Sequence, residues 1–279
     1  MAINHFVPTV WSESLLQNLD KTYVGVANCN REFEGEIREK GCMVKICGLD
    51  NISVGDYIKN TDISNPQPLS DYSTELEIDQ AKFFNFQIDD IDRAQATPHL
   101  MDLALKNAAN ALAAAADAYV YSLVEDADFS IDDTNVTPET VINHIIDART
   151  ILLAEGVMDP SDIVVEVSPA IAGAILKGKV ALSTDNTDSL ENGCIGSIGG
   201  CKIFVSPYIN VKTVDGKVST YQCVARTRRA IAFAEQLSEM EAYRPELRFA
   251  DAMKGLHLYG ARVVYSNEIV ALNLALANN

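Results

Sequence analysis

The chain has 279 residues, of which 48% are hydrophobic, enough for one large domain or two small ones with a real core. Its formal net charge of −17 argues against binding of free DNA or RNA, whose phosphates it would repel. No apolar run is long enough to cross a bilayer, and MAINHFVPTVW lacks the basic start and apolar stretch of a signal peptide, so a soluble cytoplasmic protein without membrane contact is expected.

In chain order, the first segment reads as an arm. Phe6, Val7, Val10, Trp11, Leu15, Leu16 and Leu19 are apolar, and from Val7 to Leu19 their spacing is helical. Such an arm needs a surface to lie on, its own body or a neighbour's. REFEGEIREK (31–40) is dense in charge. A strand from Cys42 to Cys47, a turn at Gly48 to Asn51 and an extended piece from Ile52 to Ile58 follow, and the polar 60–71, with Pro66 and Pro68, reads as a loop.

In ELEIDQAKFFNFQID (75–89), Leu76, Ile78, Phe84, Phe86 and Ile88 hold even positions and mostly polar residues the odd ones. That is the period of a strand. As one strand it would span roughly 50 Å at the usual rise, against a usual length of about five or six residues. A strand this long leaves the globular body and, paired with the segments before it, makes a projecting two- or three-stranded ribbon, which a second copy of the chain is the simplest candidate to hold.

Pro98 to Glu125 reads as one long helix, rich in alanine, leucine and lysine. Thr97 can cap it, and Pro98 is tolerated in the first turn. Met101, Leu105, Ala108, Leu112, Ala115 and Tyr119 share a face. Asp102, Lys106, Asn110, Asp117 and Tyr121 mark the opposite one. The helix would be roughly 40 Å long.

After an acidic linker at 126–133, Thr137-Pro138-Glu139 opens a helix that Gly156 stops. A strand at Ile163 to Val167, a helix after Ser168-Pro169, a polar loop at 183–192 and a strand at Ile203 to Val205 complete a small α/β module. Ala230–Phe233, Met240–Tyr243, Leu256–Tyr265 and Ile269–Leu276 read as extended pieces that pair with one another beside the long helix.

A search for chemistry finds little. Gly193, Gly196, Gly199 and Gly200 fit neither phosphate-binding glycine pattern, and Ser197 is not in a nucleophile elbow, so tight turns are the better reading. His5, His99, His144 and His257 are scattered. Cys29, Cys42, Cys47, Cys194, Cys201 and Cys223 lack zinc spacing and read as reduced thiols. Asp89, Asp90 and Asp92 suit the start of the long helix. Arg226, Arg228 and Arg229 form one basic knot, better matched to carboxylates than to nucleic acid.

The order of elements resembles the HK97-fold major capsid proteins of tailed bacteriophages, in particular the shorter coat proteins related to that of phage P22. FVPTVWSESLLQNLDKTYV looks like the family's arm. CMVKICGLDNISVGDY and DQAKFFNFQIDDIDRAQA resemble its E-loop and the strand entering the spine helix. VVEVSPAIAGAIL and NGCIGSIGGCKIFVSPYI resemble its A-domain, and DAMKGLHLYGARVVYSNEIVAL its closing P-domain strands.

The resemblance implies an α+β, HK97-like capsid fold: arm 1–33, E-loop 34–74, a first P-domain part 75–133 with long strand and spine helix, A-domain 134–223, and returning P-domain strands 224–279. It implies a non-enzymatic shell subunit, assembled in the host cytoplasm as hexamers and pentamers into the virion, around double-stranded DNA held without sequence-specific binding. The chain's start at the arm implies a separate scaffolding protein; a portal is the other partner, and no cofactor or metal is expected. Phe6, Trp11, Leu15 and Leu16 are expected to clasp a neighbour, and Arg38, Lys45, Asp56 and Lys59 to meet its charges. Lys45, Lys59 and Asn267 are available for the Lys–Asn cross-link of some members, but nothing marks them for it. An encapsulin-type compartment shell is the nearest alternative, and a cytoplasmic α/β enzyme a more distant one.

Overall fold

The computed structural model describes residues 15–33, 43–49, 56–57, 59, 62, 71–89, 100–178, 194–214 and 218–277. A short helix, α1, covers 15–22. The alanine-rich run forms α2, Leu100–Ser122, continued by a 3-10 turn at Leu123–Asp126. Its buried side is Leu105, Ala109, Leu112, Ala113, Ala116 and Val120. Asp102, Lys106 and Asn110 are exposed, as their face requires. Asp117 and Tyr121, expected on that face too, are fully buried. The C-terminal half of α2 is covered on more than one side, so amphipathic spacing stops reporting its environment there.

The period-two run is two strands, not one. β1 (Met43–Leu49) and β2 (Asp71–Glu77) pair antiparallel as a two-stranded ribbon, with Lys45 opposite Glu75. β3 (Gln80–Asp89) pairs instead with β11 (Ala250–Val263), which also pairs with β10 (Ile231–Tyr243). Ile78 and Asp79 form the bend between β2 and β3. Two intervening residues keep the parity of the alternation, so the sequence pattern runs through the bend unmarked. The first half pairs with the preceding segment as expected, while the second half pairs with β11 in the body of the same chain instead of projecting for a second copy to hold. No described strand lies on the other side of β3.

The third sheet has seven strands among the described residues. β4 (Phe129–Val136), β12 (Ile269–Leu276), β9 (Val218–Thr227), β5 (Ile163–Val167), β7 (Cys201–Val205) and β6 (Cys194–Ile198) lie in that order, and β8 (Val211–Val214) pairs with β9. β4 replaces the expected acidic linker. It is an edge strand with Phe129, Ile131 and Val136 on the core; Asp132 is exposed on the opposite face, and Asp133 meets His144 Nε2 at 2.8 Å. β12 does not pair with β10 or β11 as expected. Its sequence, IVALNLAL, is apolar on both faces and suits an interior strand.

One face of this sheet carries Val165, Ala225, Val270 and Leu272 into a core shared with α3 (Thr140–Ala154) and α4 (Pro169–Lys177). The other turns Val224, Ile269 and Ala271 toward α2. The caps match the sequence. Thr137 Oγ1 accepts from Thr140 N at 3.3 Å while Thr140 Oγ1 accepts from Thr137 N at 2.8 Å. Ser168 Oγ accepts from Ile171 N at 3.4 Å, and Gly156 ends α3 at φ +103°. Gly199 and Gly200, at φ +60° and +91°, make the β6–β7 turn.

Candidate functional site

Of the residues expected to contact a neighbour, Phe6, Trp11 and Arg38 lie outside the described residues. Leu15 is fully buried in the chain's own core with Leu19 and Tyr23, which corrects its assignment to a neighbour. The helical spacing of α1 turns Leu15 and Leu19 inward together and leaves Leu16 38% exposed. Lys45 is exposed, with Glu75 of its own ribbon 3.9 Å away. A pair this open contributes little to stability and leaves the ammonium free to meet other charges. Asp56 and Lys59 are exposed.

The segment 23–31 is held to the body by a buried polar anchor. Asp117, from α2, accepts from Val24 N at 3.0 Å and Val26 N at 2.9 Å. Arg226, from β9, donates to Gly25 O and Asn28 O, each at 2.8 Å, and from Nε to Glu166 Oε2 at 3.1 Å. Glu166, from β5, also accepts from Asn28 Nδ2 at 3.0 Å. Arg226 and Glu166 are both fully buried, so the pair is held by geometry and hydrogen bonds rather than by solvent. Burial also pushes the nearby Cys29 thiol up to about 11, which keeps it an unreactive thiol.

Burial pushes the Asp117 carboxyl up to about 6 from its ordinary 3.8, against the backbone N–H groups of Val26 and Val24 that favour the charged form. The folded state thus binds this proton more tightly than the unfolded one. Its stabilising contribution is full below the unfolded value and is lost as pH rises through about 6. The stability of the native chain minus that of Asp117→Asn is therefore expected to fall by roughly 2 kcal/mol between about pH 4 and 7, measured by urea unfolding across that range.

A second cluster ties the same segment to the three-stranded sheet. Glu235 on β10 accepts from Tyr23 Oη at 2.5 Å, Arg31 Nη2 at 2.7 Å and His257 Nε2 at 2.8 Å. The carboxylate only accepts, so Nε2 carries the hydrogen; His257 Nδ1 is buried without a protein partner. Burial alone would raise the Glu235 carboxyl, but the hydrogen bonds from His257 and Tyr23 hold it below the usual range. Arg31 also reaches Asp20 at 2.9 Å. The basic knot is likewise matched to carboxylates at Arg229, whose Nε donates to Glu268 at 2.9 Å.

Asp117, Glu166, Arg226, Glu235 and His257 are enclosed, and their geometry is that of a clamp. Among the described residues no three His, Cys, Asp or Glu side chains are grouped to hold a metal. The uncovered features are of a different kind. Alternate backbone groups along β3 face outward with no described strand to pair them. Phe83 on that strand is 78% exposed, and Leu247 and Phe249, between β10 and β11, are 96% and 84% exposed. Large apolar side chains beside an open strand edge suit contact with another protein chain. Sequence reasoning missed Asp117, Glu166 and Glu235. The available signal was a lone carboxylate inside the apolar IVVEV of β5, which asks for a buried cation.

No family model and no curated protein matches the chain. Solved structures do. A chain of Mycobacterium phage Che8 is 27% identical, with a TM-score of 0.68 over 90% of this chain and 91% of that one. The capsid of Ralstonia phage GP4 matches with a TM-score of 0.69 at 12% identity, covering 94% and 91%. A virus-like particle from Pyrococcus furiosus matches with a TM-score of 0.61 at 11% identity, covering 96% and 100%.

Proposed function

Starting from a chain that has the HK97-like fold of tailed-phage major capsid proteins, we propose that it builds an icosahedral phage head from hexamers and pentamers around double-stranded DNA. The observation that carries this reading is the agreement of fold over about nine-tenths of both chains. The open β3 edge and the uncovered Phe83, Leu247 and Phe249 support it, since a shell subunit must leave surface for its neighbours. The acidic chain would hold DNA by enclosure, not by sequence-specific contacts. A separate scaffolding protein and a portal are the partners of this route, and no catalytic step is part of it.

The test is electron microscopy of the expressed chain, alone and with a scaffolding partner. Closed particles are expected in the second case; a small compact oligomer in both would overturn the reading. Phe6, Trp11 and Leu16 of the arm, and Arg38, Lys45, Asp56 and Lys59 of the E-loop segment, are the proposed contacts. Trp11→Ala is expected to keep the subunit's melting profile and abolish closed particles. Sedimentation followed by microscopy checks this, and normal particles would remove the arm's role.

A second reading, a compartment shell with protein cargo, is favoured by the likeness to the Pyrococcus furiosus particle. The contents of purified particles separate the two: DNA for a phage head, a cargo protein for a compartment.

A further inference from the structure

The ribbon β1–β2 joins the body through the two-residue bend at Ile78 and Asp79. Val44, Ile46, Leu76 and Ile78, at the ribbon's base, pack on Ala232, Ala234 and Leu258 of the three-stranded sheet. The bend passes directly over Gly260 of β11. A Cβ on Gly260 would overlap the Glu77 carbonyl oxygen and lie 3.0 Å from both Glu77 C and Ile78 Cα. Gly255, on the same strand, is also crowded, but there by the ring of Phe84, with the nearest atoms at 2.5 and 2.6 Å. A ring can swing aside. The backbone at Glu77 and Ile78 cannot move without turning the ribbon.

The bend also borders open space. A cleft of about 530 Å³ opens there, lined by Met43, Glu75, Glu77, Asp79, Tyr119 and Arg262. Across it, Tyr119 Oη of α2 donates to Asp79, 3.0 Å from Oδ1 and 3.2 Å from Oδ2. The bend therefore has a steric seat beneath it and a tether beside it, with free volume into which it could otherwise lean.

We propose that Gly260 is a positioning residue: its missing side chain seats the Glu77–Ile78 backbone, and with the Tyr119–Asp79 tether sets the angle at which the ribbon leaves the body. This rests on the shell reading, because in a shell that angle decides where the ribbon meets the next subunit. The seat itself is a property of one chain and can be tested on one chain.

Nitroxide labels on Lys45→Cys and Lys106→Cys, in a chain carrying Cys42→Ser and Cys47→Ser, report the ribbon-to-body distance in the unassembled subunit by pulsed electron paramagnetic resonance. Both labelled positions are exposed, and Cys29, Cys194, Cys201 and Cys223 are buried. Gly260→Ala is expected to shift the mean distance or broaden its distribution about twofold, as overpacking forces backbone movement. Tyr119→Phe keeps the ring and removes only the hydroxyl; it is expected to broaden the distribution without shifting its mean. An unchanged distribution in folded Gly260→Ala, or in Tyr119→Phe, overturns the proposal, and Tyr119→Phe decides alone if Gly260→Ala does not fold. Where the native chain closes into particles, Gly260→Ala is expected to lose them, and normal particles from it also overturn the proposal. Failure of the native chain to close sinks the shell reading and leaves the distances to judge the seat.

Discussion

Arg226→Met is expected to destabilise the unassembled subunit by about 3–5 kcal/mol, measured by urea unfolding at neutral pH. The guanidinium is fully buried and makes four of the anchor's contacts: two to the carbonyls of Gly25 and Asn28 and two to the Glu166 carboxylate. Methionine fills much of the volume but leaves Glu166 as an uncompensated buried carboxylate. It also takes the guanidinium donors away from the carbonyls of Gly25 and Asn28. The double variant Arg226→Met/Glu166→Met separates these effects. With both charges gone the desolvation penalty goes too, so the double variant is expected to be more stable than Arg226→Met alone. A double variant no more stable than the single one would place the loss in the carbonyl contacts instead.

The second large effect belongs to Glu235. Glu235→Ala removes the acceptor shared by Tyr23, Arg31 and His257 and strands two buried donors. A loss of about 3 kcal/mol is expected, with 15–33 the first segment to gain amide exchange. The pH dependence runs opposite to that of Asp117. The Glu235 carboxyl sits below its ordinary 4.5 in the folded chain, so its contribution is present above that value and is lost as pH falls through the lowered one. The cost of Glu235→Ala should therefore shrink on acidification, while Asp117 stabilises most at the acid end. The two carboxylates, on α2 and β10, hold one segment from opposite sides and bracket its stability in pH.

Much of the local structure was legible from residue types and spacing. The alanine-rich run is a helix because its residues favour one and its apolar positions recur every three or four. The Thr137–Thr140 and Ser168 caps, the Gly156 stop and the Gly199–Gly200 turn each follow from the chemistry of a few neighbouring residues. The succession of ribbon, long helix, α/β module and returning strands was also readable, because each element announces its own period.

Tertiary structure alone decided what those elements face. Asp117 and Tyr121 lie on the polar side of α2 by spacing, yet both are buried, since the chain at 23–31 covers that side. Leu15 looked free to clasp a neighbour and is spent on its own core. β12 reads like its preceding strands but joins the other sheet. The bend at Ile78–Asp79 is silent because an even step preserves alternation. The anchor is assembled from partners far apart in sequence, 60 residues for Arg226–Glu166 and 212 for Tyr23–Glu235. Periodicity records which side of an element is apolar. It carries no term for what the folded chain later lays against the polar side, and that is where the contacts holding this subunit together are made.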